Sequence, residues 1–440
     1  MEPSHNHKFS PYFIKTGLIF LLIALLFGLA GALEYIIPGL WRNSFSFEKI
    51  RPLHVSAALF WILISATGSL LYFLREYADK PLRFHKLIKW SYLAFSSLFF
   101  LILISYFFGV FGGREYWEFH PLFAIPLVLC WCLFALLVLS NLKTLKNQPV
   151  YIWMWLTGTL FFLFTYVESN LWLIPEIRNH LVKDMTIQWK SYGSLVGSWN
   201  MLIYGSSIYL MDKIAGNQKY AYSNMAFGLF FLGLFNLMFN WGHHVYTLPT
   251  QAYVKHIGYL VSMTELFILG RIIYLWKASL SDARKNFHIH AYRFIFAADV
   301  WVFLTLGLAI AMSVPALNVF MHGTHVVVAH TMGATIGINS MLLLAFAFYI
   351  LKKNQINDQK MKRAYMLIQG SLLFFWLALI IAGFLKSYWQ FNEPDIAYGE
   401  MIKSLRPWFF AFFISGLGLI AGLCIIVFEL LKRENKTAGV

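Results

Sequence analysis

Charged residues are scarce in this chain. Only 12% of its 440 residues are Asp, Glu, Lys or Arg, whereas 59% are hydrophobic and 19% aromatic. Soluble globular domains carry about 25% charged residues, so the composition excludes an ordinary soluble domain and predicts a membrane protein. No polar stretch is long enough to form a separate module, and we expect one integral membrane domain over residues 1–440.

Cysteine is also rare. Cys130, Cys132 and Cys424 all lie within apolar runs, where a thiol usually packs as a small hydrophobic group. No Cys-x-x-Cys-His motif is present, so no covalently attached haem is expected. The N-terminal "MEPSHNHKFSPYFIK" is polar and leads straight into the first apolar run, and we therefore expect no cleavable signal peptide.

Long apolar runs, in contrast, recur from end to end. A helix needs about 20 such residues to cross a bilayer. We count runs at 17–37, 53–73, 88–110, 122–142, 151–174, 191–210, 222–245, 254–276, 294–314, 324–351, 366–385 and 408–431. The sequence thus predicts an all-α polytopic bundle of about twelve transmembrane helices.

The net charge of +15 is distributed unevenly. Lys and Arg cluster in alternate loops, such as "REYADKPLRFHKLIK" and "KKNQINDQKMKR". By the positive-inside rule these loops and both termini are cytoplasmic. Topology and anionic lipid explain the charge, so we expect the lipid bilayer and no nucleic acid as a partner.

Several polar or metal-binding side chains lie within the apolar runs, and such groups are functional hypotheses by default because burial in lipid is costly. They are His54, Glu168, Tyr192, Asn200, His243, His244, Glu265, His330 and Met332. The direction of each run places His54, Tyr192, the adjacent histidines and His330 in one outer layer. A lone helix-end histidine is more often interfacial, and a methionine more often packing.

The adjacent His243 and His244 differ because two neighbouring imidazoles in a membrane span have no common packing role. Imidazole is the usual nitrogen ligand of iron, copper and zinc, so the pair indicates a metal site. His330 and Met332 are two residues apart, about 200° around a helix, and therefore point to nearly opposite faces. One helix could thus serve two neighbouring sites.

Five segments in this order, "RPLHVSAALFW", "GGREYWEF", "NWGHHVYTLP", "SMTELF" and "MHGTHVVVAHTMG", resemble the haem-copper oxidase superfamily. Among its members the chain is most similar to the large catalytic subunit of cytochrome c-dependent nitric oxide reductases, over essentially its whole length. The resemblance implies a subunit I-like bundle in a bacterial inner membrane. It also implies reduction of NO to N2O with electrons from a periplasmic cytochrome c subunit or donor.

The resemblance assigns roles by position. It implies that His54 binds a low-spin haem b, that His330 is the proximal ligand of a high-spin haem b3, and that His243 and His244 bind a non-haem iron or other metal. Glu265 matches a carboxylate near the active site and would supply protons. Glu115 and Glu118, in "GREYWE", match an outer loop that helps to bind calcium.

Two departures from the family pattern leave alternatives open. Met332 stands where the family has histidine, so it either completes a His54/Met332 haem or only fills space; we favour ligation. Tyr192 replaces the third metal histidine, and Val196 and Asn200 replace two glutamates. Either the metal site recruits Tyr192 and Glu168, or it is weakened or empty.

Three functions remain open on these grounds: nitric oxide reduction, a different gas reaction such as oxygen reduction, and a non-catalytic haem protein that carries electrons or senses a gas. A transporter is disfavoured because the sequence shows no inverted repeat. No chain of ionisable residues crosses the cytoplasmic half of the spans, so proton pumping is not expected.

Overall fold

The computed structural model of the protein describes residues 9–43, 45–142, 144–263, 282–351 and 356–432. It is a bundle of long helices with one short hairpin. The helices are α1 (Ser10–Ile36), α2 (Phe47–Ala78), α3 (His85–Phe107), α4 (Ala124–Leu139), α5 (Val150–Glu168), α6 (Leu181–Ala215), α7 (Asn224–Phe239), α8 (Ile289–Ser313), α9 (His325–Leu351), α10 (Asp358–Asn392) and α11 (Tyr398–Leu431).

In the described ranges, ten helices are long and apolar enough to cross a membrane, and they correspond to ten of the twelve predicted spans. The sixth predicted span lies in α6, whose charged and hydroxyl side chains lower its hydropathy. The eighth, 254–276, begins in a helical segment at 252–263 and continues outside the described residues. The predicted all-α polytopic bundle is confirmed.

Helix α2 occupies the interior of the bundle. In the most apolar 18-residue stretch of α2, 94% of the residues are buried, whereas the corresponding share for α11, at the rim, is 33%. Helix α1 packs closely on α2 because Gly17 has no side chain; a Cβ there would collide with Ser65 and lie 3.0 Å from the Trp61 ring. Small residues at such crossings allow close van der Waals packing, which holds the helices together because lipid provides no hydrophobic driving force between them. His54, on α2, is thereby held among protein side chains.

Helix α9 changes its winding along its length. It is α-helical over His325–Met332, π-helical over Gly333–Ser340 and α-helical again over Met341–Leu351. Its π segment packs on α8, where a Cβ at Gly337 would lie 2.5 Å from the Trp301 ring. π-Helical turns occur frequently at functional sites, and this one begins directly after Met332.

One end of the bundle, where α2, α6 and α9 begin, carries His54, His243, His244 and His330 and is called the histidine end below. A two-stranded antiparallel hairpin, β1 (Phe111–Arg114) and β2 (Trp117–Phe119), lies there. At this end side chains cap α6 and α9: His180 accepts a hydrogen bond from the Lys183 amide before α6, and Thr324 accepts one from the Val326 amide before α9. These caps satisfy amides that a helix start leaves without partners.

Candidate functional site

His54 lies near the start of α2 with its ring against α1. Its Nδ1 is 2.8 Å from the Ala24 carbonyl oxygen. A carbonyl oxygen can only accept, so Nδ1 carries the proton and the neutral ring keeps its lone pair on Nε2. Histidines that bind metals are typically oriented by such a second hydrogen bond. The residue therefore fits the predicted role of a haem ligand.

Met332 lies on α9 at the level of His54. Trp61 Nε1 on α2 donates to Ser340 Oγ on α9 at 3.0 Å. Further along, Tyr349 OH donates to Glu76 Oε2 at 3.3 Å, so the two helices run in the same direction. His54 lies seven residues, about 10 Å of helix, before Trp61 in α2, and Met332 lies eight residues before Ser340 in α9. Because Trp61 and Ser340 are in contact, His54 and Met332 lie at about the same level.

His330 lies on the face of α9 nearly opposite to Met332. Its Nδ1 is buried and receives no hydrogen bond from the described residues, although the Thr305 carbonyl lies beside the ring. A buried polar atom without a partner is costly and calls for an explanation. A ligand that binds the ring provides one, so His330 also fits the predicted haem contact.

The pair His243 and His244 lies on a 3-10 helical turn, Asn240–Val245, that follows α7. Their ring centroids are 4.2 Å apart, and the His244 ring stacks on Trp189 of α6 at 4.6 Å and 6°. His244 is within electrostatic reach of His243, His330 and His322. The pair and His330 therefore lie in the same region of the bundle, and their joint role at a haem or metal stays a prediction.

Two buried hydrogen bonds fix the pair relative to α8 and α9. Tyr246 OH donates to the Ser313 carbonyl at 2.9 Å, and Asn318 Nδ2 donates to the His243 carbonyl at 3.3 Å. Asn318 lies in the short helix Pro315–Met321, which connects α8 to α9. This connector therefore determines how far the pair lies from His330.

His322 is a site residue that the sequence reasoning did not use. It ends the short helix whose Asn318 side chain donates to the His243 carbonyl, and it is within electrostatic reach of His244. Burial lowers the pKa of His322, so its ring is neutral at pH 7 and able to donate a lone pair. The segment "MHGTH" contained the signal, since it offers a histidine eight residues before His330.

Tyr192 is not brought to the pair. Its ring packs edge-on against Tyr116 of the hairpin at 5.4 Å, and no hydrogen bond or ring contact among the described residues joins it to the histidines. The rotation of α6 explains this. A Cβ added at Gly193 would lie 3.1 Å from Trp241, and one added at Gly197 would lie 3.0 Å from Leu237, so this face of α6 is closely packed. Tyr192 is turned about 100° away from that face.

Glu168 is not available as a metal ligand either. Lys190 Nζ lies 2.5 Å from Glu168 Oε1, and the ion pair joins the end of α5 to α6. An ammonium group at this distance neutralises the carboxylate and competes with a metal ion. The proposed recruitment of Tyr192 and Glu168 to a metal therefore has no support in the geometry. Glu265, the predicted proton carrier, lies outside the described residues.

The non-haem metal fits this site incompletely. Among the residues that the structure describes, no group of three or more His, Cys, Asp or Glu side chains is arranged to hold a metal ion. The pair supplies two nitrogen donors, and Val196 and Asn200 offer no carboxylate. Two imidazoles alone are fewer protein ligands than catalytic zinc sites provide, where three are usual.

The predicted calcium contacts are occupied by an arginine. Arg51 Nη1 lies 2.7 Å from Glu118 Oε1, and Arg51 Nη2 lies 3.3 Å from Glu115 Oε1. Burial raises the pKa of Glu118 to about 7, although Arg51 lowers it. Calcium prefers ionised carboxylates that are free to coordinate. Glu115 and Glu118 in this arrangement do not fit a calcium ion.

Comparison with known proteins covers almost the whole chain. The family described as Cytochrome C and Quinol oxidase polypeptide I matches residues 9–418. The chain belongs to this family. The predicted resemblance to the haem-copper oxidases is therefore confirmed, and with it a membrane oxidoreductase whose family carries haem and a metal centre.

Individual relatives are distant. A nitric oxide reductase subunit of Stutzerimonas stutzeri is 20% identical over 460 aligned positions, which cover 96% of this chain and 94% of that protein. A cytochrome c oxidase subunit 1 homolog of Agrobacterium tumefaciens (strain T37) is 21% identical over 457 positions, 95% of this chain and 82% of that protein.

The fold is also that of a solved family member. A cryo-EM structure of a heme-copper terminal oxidase dimer superposes with a TM-score of 0.67 at 15% identity, covering 97% of this chain and 84% of that chain. At this identity the likeness concerns the fold alone. The choice between gas reactions consequently depends on the residues of this chain.

Proposed function

We propose that this chain is the haem-binding subunit of a membrane oxidoreductase that reduces nitric oxide. The observation that supports this proposal is the arrangement on α9: Met332 lies level with His54, and His330, on the opposite face, is within electrostatic reach of His244. Two b-type haems, one on each side of α9, would be held by these three residues. Haem would supply one-electron transfer and an open coordination position for a gas.

His54 and Met332 would hold the low-spin haem that receives electrons. The Ala24 carbonyl keeps the His54 ring neutral and fixed, which prepares Nε2 as a ligand. The Met332 thioether is a neutral and soft ligand that favours ferrous iron, and it raises the reduction potential relative to a second imidazole. This pairing therefore suits an electron acceptor for a cytochrome c subunit or donor at the histidine end.

His330 would hold the high-spin haem, and the pair would line the space where the gas binds. We infer that His243 and His244 present their ring nitrogen atoms to that space, either to a metal ion that other donors complete or directly to the substrate, with His322 nearby. The implied reaction joins 2 NO with 2 electrons and 2 protons to give N2O and water. By its match to the family's carboxylate, Glu265 would donate protons.

The location follows from the charge pattern. We propose a bacterial inner membrane with both termini in the cytoplasm, because the basic loops lie opposite to the histidine end. The histidine end then faces the periplasm, where a cytochrome c donor is available.

A second candidate is a haem protein that carries electrons without turnover. It is favoured by one observation, namely that Tyr192 and Glu168 contact Tyr116 and Lys190 instead of the histidine pair. In that case both haems bind, but the pair holds no metal and no gas is reduced.

The experiment compares the purified wild-type protein with a His243→Ala/His244→Ala variant. Both receive an artificial reductant under nitrogen, and NO consumption, N2O release and, separately, O2 uptake are recorded together with the non-haem metal content. Nitric oxide reduction by the wild type and its loss in the variant, with both haems retained, is the expected result. Oxygen uptake without NO consumption would replace the proposed substrate, and inactivity towards both gases would leave the electron carrier.

A further inference from the structure

The guanidinium group of Arg51 lies between two carboxylates at the turn of the hairpin. One of its nitrogens is 2.7 Å from Glu118 Oε1, and another is 3.3 Å from Glu115 Oε1. Arg51 extends from the first turns of α2, three residues before His54. A single cation thus joins both acidic residues of the hairpin to the helix that carries the candidate haem ligand.

The position of this guanidinium is the one that a bound divalent cation would need. Calcium takes 6–8 oxygen ligands at about 2.3–2.6 Å, and carboxylates are its main protein ligands. Here Glu115 and Glu118 each direct one oxygen to an arginine nitrogen. A calcium ion between them would have to displace Arg51 or lie close to its positive charge, and like charges at such distances repel strongly.

The remaining charges of the hairpin are already paired. Arg114 Nη2 donates to both carboxylate oxygens of Asp184, at 3.0 and 2.8 Å, and its guanidinium lies 5.0 Å above the Trp172 ring. Asp184 is therefore committed to Arg114 and offers no third carboxylate. Within the described ranges, Arg51 forms ion pairs with Glu115 and Glu118 and with no other acid.

We propose that Arg51 takes the place of a divalent cation in this chain and that the hairpin is attached to α2 without calcium. The attachment is then part of the polypeptide and does not depend on free calcium outside the cell. This inference concerns the hairpin and does not rest on the proposed gas reaction. It replaces the expectation that Glu115 and Glu118 bind calcium.

The wild-type protein provides the first test. The full chain is purified, washed with EGTA, and analysed for calcium by atomic emission, and its thermal unfolding is recorded with EGTA, with millimolar calcium and with millimolar magnesium. The expected result is substoichiometric calcium and one unchanged Tm in all three conditions. One calcium per chain, or a Tm that falls on chelation, overturns the proposal.

Removal of the guanidinium charge provides the second test. In Arg51→Gln, Glu115 and Glu118 lose their shared cation, so the Tm should fall by about 2 to 4 °C and should recover in calcium, because a ligand that binds only the folded state raises Tm. Adding Glu115→Gln to this variant should abolish the recovery. A Tm in Arg51→Gln equal to that of the wild type, with no response to calcium, contradicts the role of Arg51.

Lys49 provides a matched control. It is a second cation on the same turn of α2, but its Nζ donates to the Phe107 carbonyl and has no carboxylate partner among the described residues. Lys49→Gln should therefore show no response to calcium. If Arg51→Gln does not fold, Arg51→Lys retains the charge without the two-pronged geometry and should unfold at a lower Tm than the wild type, still without calcium dependence.

Discussion

Gly28 of α1 provides a test of the His54 geometry. A Cβ at position 28 would lie 2.8 Å from both Cε1 and Nδ1 of His54, closer than real Cβ atoms approach a ring. In Gly28→Ala the new methyl must displace the imidazole, which breaks the Nδ1 hydrogen bond to Ala24. The backbone has little reason to move, because the ring is the free end of a side chain.

The magnitude follows from a comparison with Gly31→Ala on the same helix. A Cβ at position 31 meets Ile50 at 3.5 Å, an ordinary contact, and both variants gain the same helix propensity. At position 28 the overpacking costs about 1 to 3 kcal/mol and the lost hydrogen bond about 0.5 to 1.5 kcal/mol. The difference between the two variants is thus roughly 2 to 4 kcal/mol, less whatever the ring recovers by rotating.

The assay measures the absorption spectrum, the haem content and the Tm of both purified variants. We expect Gly31→Ala to match the wild type, and Gly28→Ala to lose the low-spin haem signal because Nε2 is no longer aimed at the iron. Equal spectra and equal Tm values for Gly28→Ala and Gly31→Ala would refute the assignment of His54.

Three further outcomes are expected. Met332→His should lower the potential of the low-spin haem by about 0.1 V or more in a redox titration, since imidazole is the stronger donor; an unchanged potential would make Met332 a space-filling residue. Trp61→Phe should lower the free energy of unfolding by about 0.5 to 1.5 kcal/mol through the lost hydrogen bond, because Ser340 Oγ keeps its bond to the Thr335 carbonyl; no change in chemical denaturation would argue against this contact. The folded pKa of Glu118, about 7, is above its ordinary value near 4.5, so its contribution favours folding at low pH and is lost as the pH rises towards 7. Thermal unfolding against pH should show this slope in the wild type and a flatter one in Glu118→Gln, whereas a stability that rises with pH would indicate that the Arg51 ion pair dominates.

The sequence was sufficient to predict the all-α bundle and ten of the membrane spans found in the described residues, while the common layer of His54, His243, His244 and His330 stays a prediction. Long apolar runs alternate in direction by necessity, so a polar residue near one end of a run has a known level in the bundle. Depth along a helix is therefore predictable from sequence. The rotation of a helix about its axis is harder to predict from sequence, as Tyr192 shows.

Tyr192 lies at the depth of the histidine pair but points towards the hairpin. The rotation of α6 is determined by the contacts of Gly193 and Gly197 with Trp241 and Leu237; their Gly-x-x-x-Gly spacing marks a packing face, but α6 alone does not reveal which distant segment covers it. Arg51 was likewise missed as the partner of Glu118, since the two residues are 67 positions apart. Contacts of this kind depend on how distant segments pack, and only the structure supplies them.

The central claim is that His54 and His330 each hold a separate haem, on the two sides of α9. The most direct measurement is the number of noncovalent b haems per chain, by pyridine haemochrome, in the wild type, in His54→Ala and in His330→Ala. The account predicts two haems in the wild type and one in each variant, with the low-spin signal lost in His54→Ala and the high-spin signal lost in His330→Ala. A wild-type protein with one haem or none, or two haems retained in either variant, would contradict it.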